Sequence, residues 1–117
     1  QYLSASGAGK GFFPTSSADG DMSGISDEYL KKLKLVLDNN PAARVEVTGH
    51  TDITGTAPFN KELGLRRAEF VKSYLVNAGI KAEQIVTSSK GSSEPAASNS
   101  TPEGRAANRR SEIKVII

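Results

Sequence analysis

No cysteine occurs in this chain of 117 residues, and it has a single histidine. The first absence removes disulfide staples, thiolate metal sites and cysteine nucleophiles; the second leaves a metal site little beyond carboxylates to draw on. No metal or other cofactor is expected. The lack of cysteine leaves the redox compartment open, because a core of this size folds without disulfides in either setting. Apolar runs are short: none approaches the ~18–20 residues that cross a bilayer, and the N-terminus lacks the basic-then-apolar layout of a signal peptide. If the protein works at a membrane, its anchor is expected outside this chain. Aromatics make up 6% of the residues, and 15 basic against 13 acidic side chains give a formal charge of +2, a weak argument for an anionic partner.

What remains is the composition of an ordinary folded domain, with 37% hydrophobic residues and a mean hydropathy of -0.37. The length suits one domain, expected over residues 11–117. Residues 1–10 are rich in Ser, Ala and Gly and are expected to form a flexible linker or terminus. Phe12-Phe13 could form a short strand, and a loop through Pro14 to Asp21 follows it. Ser26 is placed to cap a helix that ends at Asn39-Asn40-Pro41, with Tyr29, Leu30, Leu33, Val36 and Leu37 on one face. Arg44 to Gly49 alternates as a strand does, with Val45 and Val47 inward. Pro58 opens a second helix running to about Ala78, with a core stripe of Phe59, Leu63, Phe70, Val71, Tyr74, Leu75 and Ala78, and Gly79 ends it. Further on, Ile85–Ser89 reads as a strand, 91–101 as a loop, Thr101 to Asn108 as a short helix and 111–117 as a closing strand. This order predicts an α+β fold: a two-layer sandwich with a mixed sheet of about four strands and two long helices on one face.

Three polar clusters fall at the ends of elements, where a rigid scaffold positions loop residues for function. They are Gly49-His50-Thr51-Asp52-x-x-Gly55, then Asn60 with Arg66 and Arg67, then Gly104-Arg105-Ala106-Ala107-Asn108-Arg109-Arg110. Asp52 and Arg67 can be read in two ways. A fixed anion and a fixed guanidinium are the minimal recogniser of a zwitterion, because an ammonium needs a carboxylate and a carboxylate is best held by arginine's planar fork. The same pair would also arise if Asp52 capped its own loop and Arg67 formed a structural salt bridge with it. Asn60 most simply satisfies backbone groups at the helix start. His50 suits a hydrogen-bonded strand end better than catalysis, since no nucleophile elbow accompanies it, and no enzyme activity is expected. Arg105, Arg109 and Arg110 form a basic patch that lacks the interleaved aromatics of a nucleic-acid surface; it is a solvated end with structural pairs, or an anion or carboxylate site.

Taken together, the clusters resemble the OmpA-like peptidoglycan-binding domain of outer-membrane proteins, peptidoglycan-associated lipoproteins and flagellar stator subunits. The resemblance covers Phe12 to Ile117. It rests on Val45-Glu46-Val47-Thr48-Gly49-His50-Thr51-Asp52-x-x-Gly55, on Phe59-Asn60-x-x-Leu63-Gly64-x-x-Arg67-Ala68, and on Gly104-Arg105-Ala106-x-Asn108-Arg109-Arg110-Ser111-Glu112-Ile113, in that order. It implies that Asp52 takes the ammonium of the meso-diaminopimelate side chain of a peptidoglycan stem peptide and that Arg67 takes its carboxylate. It further implies that Asn60, Arg109, Thr51 and Leu63 line the site. The implied setting is the periplasm, with attachment to the outer membrane of a Gram-negative-type cell through a region absent here; self-association is left open. A protein-interaction module on the same fold is the alternative. Two departures stand out: Gly64 replaces the family's usual serine, which removes a hydroxyl and loosens the helix by roughly 1 kcal/mol, and the segment 14–24 is long, with Ser17 a weak candidate for an early contact.

Overall fold

The computed structural model describes residues 10–12, 20, 22 and 25–116. The elements are β1 (Lys10–Phe12), α1 (Asp27–Asn39), β2 (Arg44–His50), α2 (Ala57–Asn77), a 3₁₀ turn (Ala82–Gln84), β3 (Ile85–Gly91), α3 (Pro102–Asn108) and β4 (Arg110–Ile116). Phe13, Pro14 and Ser17 lie outside the described residues, as do residues 1–9 of the expected linker.

Local chemistry sets the helix boundaries. The Ser26 side chain accepts from the Tyr29 N–H at 3.1 Å, and Asp27 and Glu28 occupy the first turn, where the helix dipole favours acids. Thr56 caps α2 by accepting from the Phe59 N–H, and Thr101 caps α3 by accepting from the Gly104 N–H. Each of these two helices carries proline in its first turn. Gly79 ends α2 at a φ of +100°, a conformation that costs a residue without Cβ little.

The four strands form one mixed sheet in the order β1-β4-β2-β3. β4 runs antiparallel to both β1 and β2, while β3 lies parallel to β2, a pairing that the crossover through α2 makes possible. Val45 and Val47 of β2 point the same way as Ile113 and Val115 of β4. Together with Ile85 they pack against Tyr29, Leu33 and Leu37 of α1 and Ala68, Val71 and Leu75 of α2. Both long helices therefore cover one face. Each fully buried aliphatic side chain in that layer contributes about 1.5–3 kcal/mol.

α2 departs from the expected stripe. Phe59 is 45% exposed and Ala78 is exposed, whereas the buried residues are Asn60, Leu63, Gly64, Arg67, Ala68, Val71 and Leu75. The C-terminal half of the buried face is apolar, whereas the N-terminal half buries Asn60 and Arg67 beside Leu63 and Gly64. A Cβ on Gly64 would lie 2.2 Å from Ser89 Oγ and 3.0 Å from the Gly49 carbonyl oxygen, so a side chain here would require Ser89 to turn and β2 to give slightly.

Candidate functional site

Topology gathers the polar clusters at one end of the sheet. β2 finishes there at His50, β3 finishes beside it at Gly91, and β4 starts there, with Ser111 opposite Gly49. α2 leaves from the same end, so its polar first half stays near the end of β2. The Thr51 N–H donates to the Gly91 carbonyl at 2.9 Å and holds the loop after β2 against β3.

Asp52 sits in that loop, 4% exposed. Its Oδ1 accepts from the Thr54 N–H at 2.8 Å, and its Oδ2 accepts from Arg109 Nη1 at 3.0 Å. Burial alone would raise this carboxyl; the Thr54 N–H and the Arg109 guanidinium outweigh it and hold the group below its ordinary value. The expectation that Asp52 caps its own loop is met, and its salt bridge is with Arg109, 57 positions away in sequence.

Arg67 is 0% exposed and donates from Nη1 to the His50 carbonyl at 3.0 Å. Burial lowers its pKa to about 10, with nearby Asp52 opposing the shift and nearby Arg109 adding to it. At neutral pH the group stays charged. Asp52, Arg67 and Arg109 thus form one electrostatic cluster. Asn60, 3% exposed, satisfies a backbone group at the helix start as expected: its Nδ2 donates to the Gly55 carbonyl at 3.3 Å, while its Oδ1 is buried with no hydrogen-bond partner. Thr51 Oγ1 is likewise buried without one. Leu63 shares the buried face of α2 with Asn60 and Arg67, and it also lines a small groove of about 170 Å³ with Phe59, Glu62 and Arg66.

The basic patch does not act as a unit. Arg105 Nη1 donates to the Asn99 carbonyl at 2.9 Å, Arg109 pairs with Asp52, and Arg110 pairs with Glu112 and donates from Nη2 to the Glu94 carbonyl at 3.0 Å. Sequence reasoning gave Asn108 no role. It is 0% exposed; its Oδ1 accepts from the Ala96 and Ala97 N–H groups at 2.7 and 2.9 Å, and its Nδ2 donates to the Ala97 carbonyl and Asn99 Oδ1 at 3.0 and 2.8 Å. One amide thereby fixes the loop before α3, and α3 in turn places Arg109. Its local sequence spacing offers no signal for this, because its partners lie 9 to 12 residues upstream.

The His50 side chain turns toward the sheet's other face, with Nε2 at 3.9 Å from Glu112 Oε2. That face carries a polar groove of about 510 Å³. Burial lowers the His50 pKa from 6.5 to about 4, helped by Arg110 and Lys90 and opposed by Glu112 and Glu94. The unfolded chain therefore takes up a proton that the folded chain refuses between those two values. Stability is expected to fall by about 3 kcal/mol as pH drops from 6.5 toward 4. Denaturant midpoints at pH 7 and pH 4.5 measure this, and His50→Gln should flatten the difference; an equal drop in that variant would assign it to other groups. Asp52, with its lowered pKa, adds its own loss only at still lower pH, as the medium falls through its folded value.

Among the described residues, no group of three or more histidine, aspartate or glutamate side chains is placed to hold a metal ion. Nor is any helix among them long and apolar enough to cross a membrane.

Comparison with known proteins agrees with this architecture. Peptidoglycan-binding protein ArfA of Mycobacterium tuberculosis is 47% identical over 88 residues, covering 75% of this chain and 27% of that protein. Outer membrane protein A of Bordetella avium is 43% identical over 101 residues, covering 84% of this chain and 52% of that protein. The chain thus spans about a quarter to a half of these relatives. Among solved structures, the peptidoglycan-associated lipoprotein of Burkholderia pseudomallei superposes with a TM-score of 0.75 at 27% identity, covering 92% of this chain and 89% of that one. The C-terminal domain of Helicobacter pylori MotB does so with a TM-score of 0.72 at 27% identity, covering 92% and 82%. The OmpA family model matches residues 15–109, and the chain belongs to the OmpA family.

Proposed function

We propose that residues 11–117 form a non-enzymatic domain that binds cell-wall peptidoglycan through the diaminopimelate of its stem peptide, with residues 1–10 as a linker. The supporting observation is the charge cluster at the sheet end: a buried carboxylate, Asp52, electrostatically coupled to two guanidiniums, Arg67 and Arg109. Thr51 Oγ1 and Asn60 Oδ1 are buried without hydrogen-bond partners at the same end. The diaminopimelate side chain ends in a zwitterion. Asp52 takes its ammonium, Arg67 serves its carboxylate through the guanidinium fork, Thr51 and Asn60 supply further polar contacts, and Leu63 packs beside them. ArfA is named for peptidoglycan binding and the Burkholderia lipoprotein for peptidoglycan association, in line with this reading. The domain then works in the periplasm and tethers the wall to an outer membrane, held there by a region outside this chain.

Each charge-assisted bond contributes about 1.5–3 kcal/mol net, so a few of them give a Kd between roughly micromolar and millimolar. Weak single sites suffice, because the wall repeats its stems and many anchored copies gain from effective concentration. Titration of a diaminopimelate stem peptide, followed by heteronuclear NMR, should give saturable shifts around Asp52, Asn60 and Arg67. A lysine-containing peptide should give weak ones. No shifts at millimolar ligand would overturn wall binding and leave a protein partner as the reading.

A further inference from the structure

We infer that Arg109 is a specificity-determining residue, one that makes the site reject a lone ammonium and accept a zwitterion. The inference rests on the wall-binding reading above. Both oxygens of the carboxylate that would receive the ammonium are already engaged: Asp52 Oδ1 by the Thr54 N–H at 2.8 Å and Asp52 Oδ2 by Arg109 Nη1 at 3.0 Å. A ligand ammonium therefore meets a carboxylate that already carries an internal cation, and it must share the carboxylate with that cation or take its place.

Charge balance separates the two kinds of ligand. Among the described residues, Asp52 contributes −1 and Arg67 and Arg109 contribute +1 each, so these three groups sum to +1. A lysine side chain would raise that total to +2 in a site where these groups are largely shielded from water. Like charges repel more strongly there than in solvent. A zwitterionic centre leaves the total at +1, and its carboxylate, held by Arg67, adds an anion within reach of the Arg109 guanidinium. An arginine can serve both anions because its fork fits carboxylates on the protein and on the ligand equally well.

Arg109 is also the more accessible of the two guanidiniums. Its side chain is 17% exposed, against 5% for Asp52, while Arg67 is fully buried and held by the His50 carbonyl. The Arg109 main chain is fixed: its N–H donates to the Arg105 and Ala106 carbonyls at 3.1 and 3.3 Å at the end of α3. Any response of Arg109 to the ligand is thus confined to its side chain.

The test compares two synthetic stem peptides, one with diaminopimelate and one with lysine, against the wild-type domain, Arg109→Gln and Arg109→Lys by calorimetry or NMR. Removing the charge in Arg109→Gln should raise affinity for the lysine peptide about five- to tenfold and shrink the preference for diaminopimelate. Arg109→Lys keeps the charge without the fork, so it should still reject the lysine peptide while binding diaminopimelate more weakly. It also serves as the folded comparison if Arg109→Gln proves unstable. Equal weakening toward both peptides in Arg109→Gln, or lysine affinity unchanged, would overturn the role given to Arg109, as would an Arg109→Lys domain that gains lysine affinity. A wild-type domain that binds neither peptide would overturn the wall-binding reading itself.

Discussion

Asp52→Asn is expected to weaken binding of the diaminopimelate peptide roughly 10- to 100-fold and to abolish co-sedimentation with purified peptidoglycan, while the domain stays folded. Asparagine is close to isosteric and keeps an oxygen for the Thr54 N–H, which Asp52 accepts at 2.8 Å, so the loop retains its cap. What disappears is the charge, and with it the salt bridge to Arg109, which keeps 17% of its side chain in solvent, and one charge-assisted bond to the ligand ammonium. The same logic does not extend to Arg67→Ala. Arg67 is among the largest fully buried side chains, and its removal would leave a cavity and strip the His50 carbonyl of its donor. That variant is expected to lose stability as well as binding, contrary to the simple view that either charge could be deleted from an intact fold. Circular dichroism establishes that Asp52→Asn is folded, and sedimentation reads the effect. A folded Asp52→Asn domain that still sediments with the wall would remove Asp52 from the site.

Much of the architecture was legible because short-range chemistry dictates it. The Ser26 cap, the prolines that open α2 and α3 and the left-handed Gly79 bounded three helices closely. Alternation in Arg44 to Gly49 placed Val45 and Val47 inward. The orientation of α2 was less legible. Counting apolar residues by helical spacing put Phe59 in the core, yet Phe59 is 45% exposed and Arg67 is 0% exposed. Periodicity of hydrophobic side chains cannot report a face whose burial is polar, because the partners that make such burial tolerable come from other elements. The pairing of Asp52 with Arg109 was unreadable for the same reason: the two are adjacent because β4 returns antiparallel to β2, and local spacing carries no trace of it. Spacing suggested Asp52 and Arg67 as a pair. Family resemblance added Arg109, and the structure shows all three groups interacting electrostatically.

Gly49→Ala is expected to have the largest effect on stability, a loss of about 4 kcal/mol or more that removes the cooperative melting transition at physiological temperature. A Cβ on Gly49 would sit 1.6 Å from the Gly64 carbonyl oxygen and 2.5 Å from its carbonyl carbon. The obstacle is main chain, so no rotamer change relieves it. β2 cannot retreat either, since it is hydrogen-bonded to β3 on one side and β4 on the other. α2 would have to lift away, and the layer of Val45, Val47, Ala68, Val71 and Leu75 would open with it. Gly79→Ala is the comparison. A Cβ there meets nothing closer than Lys34 Cε at 3.6 Å, so its cost is only that of a φ of +100°, about 1 kcal/mol. Thermal melts of the two variants separate the causes; similar small losses would show that the Gly49–Gly64 approach is not what holds α2 in place. The seam also carries the site. The residue after Gly49 is His50, whose carbonyl accepts from Arg67, and Arg67 lies one helical turn beyond Gly64. Backbone-to-backbone contact at the glycines is therefore what sets Arg67 deep beside the end of β2, within electrostatic reach of Asp52. A side chain at position 49 should cost the binding site along with the fold.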